Sequence, residues 1–201
     1  MADLSGRARW RDLSCLQVLL TERREAEVSY SEADIAKKAD RIVRRCETRD
    51  PHAAAEALGI MILYRDFRQQ RGVYKVILRN RFIFLKSDLS PIQEKIVLWH
   101  EIGHDVLHRH EAAAAGGFQE FNLFDMQGSR LEYEANLFAA QASLPDGQIL
   151  EYIDRGLSLA QIAQAMYSDV NLVALKADIL IAQGHPLRRQ EHQSDFLGYR
   201  R

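Results

Sequence analysis

The chain has 201 residues, 47% hydrophobic and 27% charged, with 11 glycines and 4 prolines. This composition excludes low-complexity disorder and allows one domain, or one domain with a small appendage, whose core holds without disulfides. Lysine and arginine number 27 against 28 acids, for a net charge of -1, so no global field draws the molecule to nucleic acid or to an anionic membrane.

In chain order, residues 1–30 are charged and weakly patterned, and read as an N-terminal extension without a secretory signal. Cys15 and Cys46 are not closely paired, and no apolar run has the length of a membrane span, so the chain reads as cytoplasmic with reduced thiols. Residues 31–45 place Ile35, Ala39, Ile42 and Val43 on one helical face. Asp50 and Pro51 supply a cap and a first-turn proline for a second helix ending near Gly59. Residues 60–64, 73–78 and 81–85 are β-rich, and the last two form a hairpin through Arg79 and Asn80. Asn80 is the residue there best suited to a left-handed turn. Ser90, Pro91 and Gln93 then give a capping box and a first-position proline for the next helix. Ala112 to Ala115, followed by Gly116 and Gly117, reads as a flexible connection. A further helix covers residues 129–140, and residues 158–166 and 170–182 form a closing helical pair.

The helix opened by Ser90 carries His100-Glu101-Ile102-Gly103-His104, an H-E-x-x-H pattern. A helix turns about 100° per residue, so both imidazoles share a face and can reach one ion. Catalytic zinc takes three protein ligands and keeps a fourth position for water, whose pKa it lowers to about 7. Glu101, beside the first histidine, is placed to take the proton of that water and pass it to a leaving amine. His110 has the spacing of a metzincin third histidine, but position 107 is Leu where that motif bends at glycine. Without the bend the helix runs on and carries His110 roughly 9 Å along the axis from His104. His108, one turn beyond His104, reads as a residue that supports the ligands or lines the pocket.

Glu132 is the favoured third ligand, because Asn136 four residues on shares its side of the helix and could orient a metal-bound histidine. Ser129 and Glu132 also have capping-box spacing, so Glu132 could instead cap its own helix. Glu134 is the alternative ligand, and a two-residue shift rotates its carboxylate by about 200°, so both cannot face one ion. His108, Tyr133 and Tyr74 are candidates for stabilising an oxyanion.

The residues Thr48-Arg49-Asp50-Pro51, Leu58-Gly59-Ile60, the hairpin through Asn80, Trp99 to His108, and Glu132 to Ala140 running to Leu144-Pro145 resemble the ImmA/IrrE family of metallopeptidases over most of residues 33–182. The resemblance implies one zinc ion per chain at His100, His104 and Glu132, with Glu101 as base. It also implies a protein substrate, typically a helix-turn-helix repressor, in stress response or mobile-element regulation. Position 99 is Trp where the family commonly has alanine or cysteine, which puts an indole at the site's edge or in one wall of the substrate cleft.

The expected fold class is α+β, zincin-like, with a small mixed or antiparallel sheet packed on the H-E-x-x-H helix and substrate extended along a sheet edge. The expected organisation is an extension over 1–30, a zinc peptidase domain over 31–145, a helical subdomain resembling a helix-turn-helix over 146–185, and a tail over 186–201. The rival reading of the whole chain is a DNA-binding or partner-binding transcriptional regulator with a vestigial or regulatory metal site. Residues 158–182 carry one lysine, Lys176, against Asp169 and Asp178, whereas a groove-reading helix brings several cations to the phosphates.

Overall fold

The structure is a computed structural model and describes residues 30–115, 118–120 and 130–187. Residues 1–29 of the expected extension over 1–30, Cys15 among them, Gly116 and Gly117, the Ser129 half of a capping box and residues 188–201 lie outside the described residues. Helix α1 (Glu32–Cys46) starts where Ser31 Oγ accepts the Asp34 N–H at 3.2 Å, with Glu32 and Asp34 in the first turn where the helix dipole favours acids. It buries Ile35, Ala36, Ala39 and Ile42. In α2 (Pro51–Leu58), Asp50 caps the Ala53 N–H at 3.1 Å, and the helix stops at Gly59, whose φ of 70° suits a residue without a Cβ.

Four strands follow: β1 (Met61–Arg65), β2 (Gly72–Ile77), β3 (Asn80–Lys86) and the short β4 (Phe118–Glu120). They form one mixed sheet in the order β1-β3-β2-β4, with β1 parallel to β3 and β2 antiparallel to both its neighbours. The hairpin differs from the sequence reading by one position. Ile77 pairs with Asn80, and the left-handed residues are Leu78 (φ 49°) and Arg79 (φ 66°), with Asn80 already in the strand. A two-residue hairpin needs positive φ at both central residues to match the strand twist, so the turn geometry overrides the preference of Asn80. Leu78 is left 91% exposed at the tip.

Helix α3 (Pro91–Leu107) has the expected capping box, with Ser90 Oγ accepting the Gln93 N–H at 3.3 Å and Gln93 Oε1 accepting the Ser90 N–H at 3.1 Å. It lies on β2 and β3, where Tyr74, Ile83 and Leu85 are fully buried. Burying each apolar side chain there contributes about 1.5–3 kcal/mol. The helix does not run on. His108 leaves helical geometry at φ -127° and ψ 24°, and α4 (Arg109–Ala115) begins after it, so Ala112 to Ala115 are helical where a flexible connection was expected. The bend needs no glycine because His108 is held from the side by Glu134, and alanine is the strongest helix former once a turn is nucleated.

Helix α5 (Arg130–Ser143) is the hub, packed against α3, α1 and α8 (Val170–Ala182), with α6 (Asp146–Asp154) and α7 (Leu159–Ala165) closing the end. Residues 171–180 of α8 are all buried, so the helix that would read DNA in a helix-turn-helix offers no face to a groove. Lys176, the one lysine of the pair, is itself buried and donates to Asp146 and Gln141. Among the described residues, no helix is long and apolar enough to cross a membrane.

Asp169 caps α8, accepting the Asn171 N–H at 2.7 Å, and burial pushes its carboxyl up to about 6. A folded-state pKa above the unfolded value means that the native state binds more protons between about pH 4 and 6, so this group's contribution to stability falls as pH rises through that window. Asp169→Asn keeps a capping acceptor and removes the buried charge. Its expected effect is a gain of about 1–2 kcal/mol at pH 7.5 that disappears near pH 4, measured by urea unfolding at the two pH values.

Candidate metal centre

Three side chains from two helices converge. His104 Nε2 lies 3.0 Å from His100 Nε2, and Glu132 Oε2 lies 3.0 Å from His100 Nε2 and 3.4 Å from His104 Nε2. One ligand atom from each residue falls within 4.8 Å of the others. A tetrahedral ion with bonds near 2.05 Å needs ligand atoms about 3.3 Å apart, so the triangle fits a transition-metal ion. The donor chemistry agrees: two imidazole nitrogens and a carboxylate oxygen, a ligand set used by catalytic zinc, meet at one point. Burial holds the His104 imidazole down to about 4, the neutral form that has a lone pair to offer.

The glycine inside the motif explains how a second helix reaches this point. A Cβ on Gly103 would lie 3.2 Å from the Ala135 carbonyl oxygen and 3.3 Å from its Cα. With hydrogen there, α5 can press its backbone against α3 and bring Glu132 to the histidines.

The supporting bonds fix both rings. Asn136 Oδ1 lies 2.8 Å from His100 Nδ1 and only accepts, so that nitrogen donates and Nε2 keeps its lone pair. The second ring continues as a chain, with His104 Nδ1 3.1 Å from His108 Nδ1 and His108 Nε2 3.0 Å from Glu134 Oε2. If His104 offers Nε2 to a metal, its Nδ1–H donates to His108, whose Nε2–H donates to the carboxylate. Glu132 and Glu134, two residues apart, thus face different histidines. Asn136→Ala should weaken metal binding by about 10- to 100-fold without unfolding the chain, read by competition with a chromophoric chelator.

Glu101 is fully buried against the sheet, where Gly72 of β2 leaves room for its carboxylate. Trp99 stands elsewhere. Its indole is 1% exposed, packs on Phe138 and donates to the Arg49 carbonyl at 3.2 Å, and the cleft it lines contains none of the three converging residues. Tyr74 donates to Asp105 at 2.6 Å and Tyr133 to Glu32 at 2.9 Å. His110 is exposed at the start of α4.

Asp105 was not legible as a key residue. It is buried next to His104 and ties three elements together through Tyr74 on β2, Arg81 on β3 at 2.9 Å and Arg109 on α4 at 2.8 Å. Its only sequence signal is an acid one residue after His104, on a helix whose other buried polar residues belong to the H-E-x-x-H pattern.

The sequence profile of a peptidase family, M78, described as the IrrE N-terminal-like domain, matches residues 55–177, a span that contains every residue of the centre. The chain is 30% identical over 124 residues to a protein named "Uncharacterized immunity region protein 2" of Bacillus phage phi105, covering 61% of this chain and 76% of the phage protein. It is 27% identical over 137 residues to a protein named metallopeptidase ImmA of Bacillus subtilis strain 168, covering 67% of this chain and 78% of that protein.

Proposed function

Because the chain belongs to the peptidase M78 family, we propose that it is a cytoplasmic, zinc-dependent endopeptidase that cuts a protein partner, a helix-turn-helix repressor, in stress response or mobile-element regulation. The observation that carries this reading is the convergence of His100, His104 and Glu132 on one point with Glu101 on the same helix. Two neutral imidazoles and one carboxylate are the ligand set of a hydrolytic zinc centre, as in thermolysin-like enzymes. The α+β arrangement, a small sheet lying on the motif helix, agrees with a zincin-like plan. The regulatory setting, not the substrate, accords with the immunity-region name of the phage relative.

In this reading His100, His104 and Glu132 hold the ion, while Asn136, and His108 with Glu134, keep the two rings in register. A zinc ion held there would supply Lewis acidity and bring the pKa of water to about 7. Glu101 takes the proton of the attacking water and returns it to the departing amine nitrogen. The sheet edge at β4 adjoins β2, whose Gly72 packs on Glu101, so an extended substrate segment added there would run past the base.

The test is to incubate the chain with the repressor encoded beside it and to compare the native protein with a chelated sample and with Glu101→Gln. One zinc per chain and cleavage by the native form alone is the expected result. Cleavage that survives complete metal removal would reject the mechanism.

A further inference from the structure

The sheet has two faces, and the core uses one of them. Tyr74, Ile83 and Leu85 lie on the face toward α3 and are fully buried. The alternate positions face the other way and are also apolar: Leu63 on β1, Val73 and Ile77 on β2, Phe82 and Phe84 on β3. Among the described residues, these belong neither to the hydrophobic core nor to the layer packed against it. We propose that this outer face docks an amphipathic helix of a protein partner, apolar where it meets the sheet and acidic along its flanks. The inference is independent of the peptidase reading.

Surface gives the first argument. A sheet with one face in water reads polar on that face. Here Ile77 is 43% exposed, the Phe82 and Phe84 rings stack at 6.0 Å, and a hollow of about 300 Å³ lies over Val73 and Phe84. Its walls are the strands with Phe67 and Gln70 of the β1–β2 connection, and no helix supplies a described lining residue. Such a hollow accepts a bulky apolar anchor, the kind of contact that dominates docking energy.

Charge gives the second. The outward positions of β1, β2 and β3 include Arg65, Lys75 and Lys86 and no acid, in a chain whose acids outnumber its bases 28 to 27. Lys86 pairs with Asp88, whereas Lys75 has no carboxylate partner among the described residues. Arg65 lies over the Phe84 ring at 5.7 Å and gives an N–H to the Tyr64 carbonyl at 3.0 Å, which leaves its charge without a counterion and its other donors in hand. Cations around an apolar hollow call for carboxylates beside an apolar stripe. They also disfavour a second copy of this chain, because a two-fold contact would set the same cations against each other.

Backbone pairing gives the third. In the order β1-β3-β2-β4, β3 and β2 are inner strands, so their main-chain groups are already paired across the sheet. An extended segment laid on the face would find no ladder to join, whereas a helix brings its own hydrogen bonds and needs only side-chain contacts. Six residues of β2 span roughly 20 Å at about 3.4 Å each, the length of a helix of about 14 residues.

The full chain is titrated at low ionic strength into fluorescein-labelled synthetic helices of about 14 residues, with Leu and Phe on one stripe and either Glu or Lys on the flanks, following anisotropy. Saturable binding of the Glu peptide is expected, at least about tenfold tighter than the Lys peptide. Ile77→Ser should weaken it by roughly threefold to tenfold. Arg65→Glu/Lys75→Glu should reverse the preference between the peptides, with far-UV circular dichroism unchanged. No saturation with the Glu peptide, equal binding of both peptides, or a preference that survives the charge reversal would each overturn the proposal. Binding of phosphatidylserine vesicles without binding of the Glu peptide would replace the partner by a lipid surface. A concentration-dependent dimer that Ile77→Ser dissolves, read by light scattering, would replace it by a second copy.

Discussion

Glu101→Gln is expected to keep its metal and its fold and to lose turnover by about 10³-fold or more, the scale of a lost general base. Glutamine has the volume of glutamate, so the space that Gly72 leaves open is refilled without a cavity or a clash. What disappears is the ability to accept a proton. His100, His104 and Glu132 are untouched, so metal analysis should still give one ion per chain. Stability should hold or rise, since a neutral amide replaces a carboxylate in a fully buried position. Measuring kcat beside metal content separates this outcome from a centre that has merely come apart. Native turnover in the metal-loaded variant would assign the proton transfer to some other group.

The parts of the fold that were legible are those decided within a few residues. The cap and proline at Asp50-Pro51 and the box at Ser90 and Gln93 act over one turn, and the helices start where those signals put them. The hairpin was legible as a hairpin, but its register slipped by one because strand twist, a property of the pair, chose Leu78 and Arg79 for the turn. Ala112 to Ala115 misled because glycines after an alanine run say where a helix ends, not that it never forms.

In the centre, four-residue spacing showed that His100 and His104 share a face and that Glu132 and Asn136 share another, since both statements concern one helix. That the two faces meet depends on α3 and α5 touching at Gly103, a contact between residues more than thirty positions apart. The same holds for Asp105, whose three partners come from β2, β3 and α4. Trp99 was read from its place beside His100. A one-residue step on a helix turns about 100°, and the indole lines a cleft with Arg49, Leu144 and Leu172.

Gly72 was the least legible residue of the site, and it leads to the other large expected effect. It is the first residue of β2, with no positive φ and no turn to require it. The requirement comes from α3. A Cβ at this position would fall on Glu101 Oε1, nearer than real contacts allow, and 2.6 Å from Val97 Cγ1. Val97 is buried and β-branched, stiff at χ1 within a helix, so it has little room to give. The Glu101 carboxylate, at the end of a longer side chain, is the group that moves. Gly72→Ala should therefore lower kcat by about 10²-fold, the scale expected when a reacting group shifts by roughly 1 Å. Overpacking should also destabilise the fold by about 1–3 kcal/mol, so the assay belongs well below the melting transition. KM and metal content should stay near native, because the atoms nearest the new methyl belong to Glu101 and Val97 rather than to His100, His104 or Glu132. Gly147→Ala, where nothing lies within 4 Å, is the matched control and should be silent. If Gly72→Ala turns over like that control, the sheet does not hold the base in place.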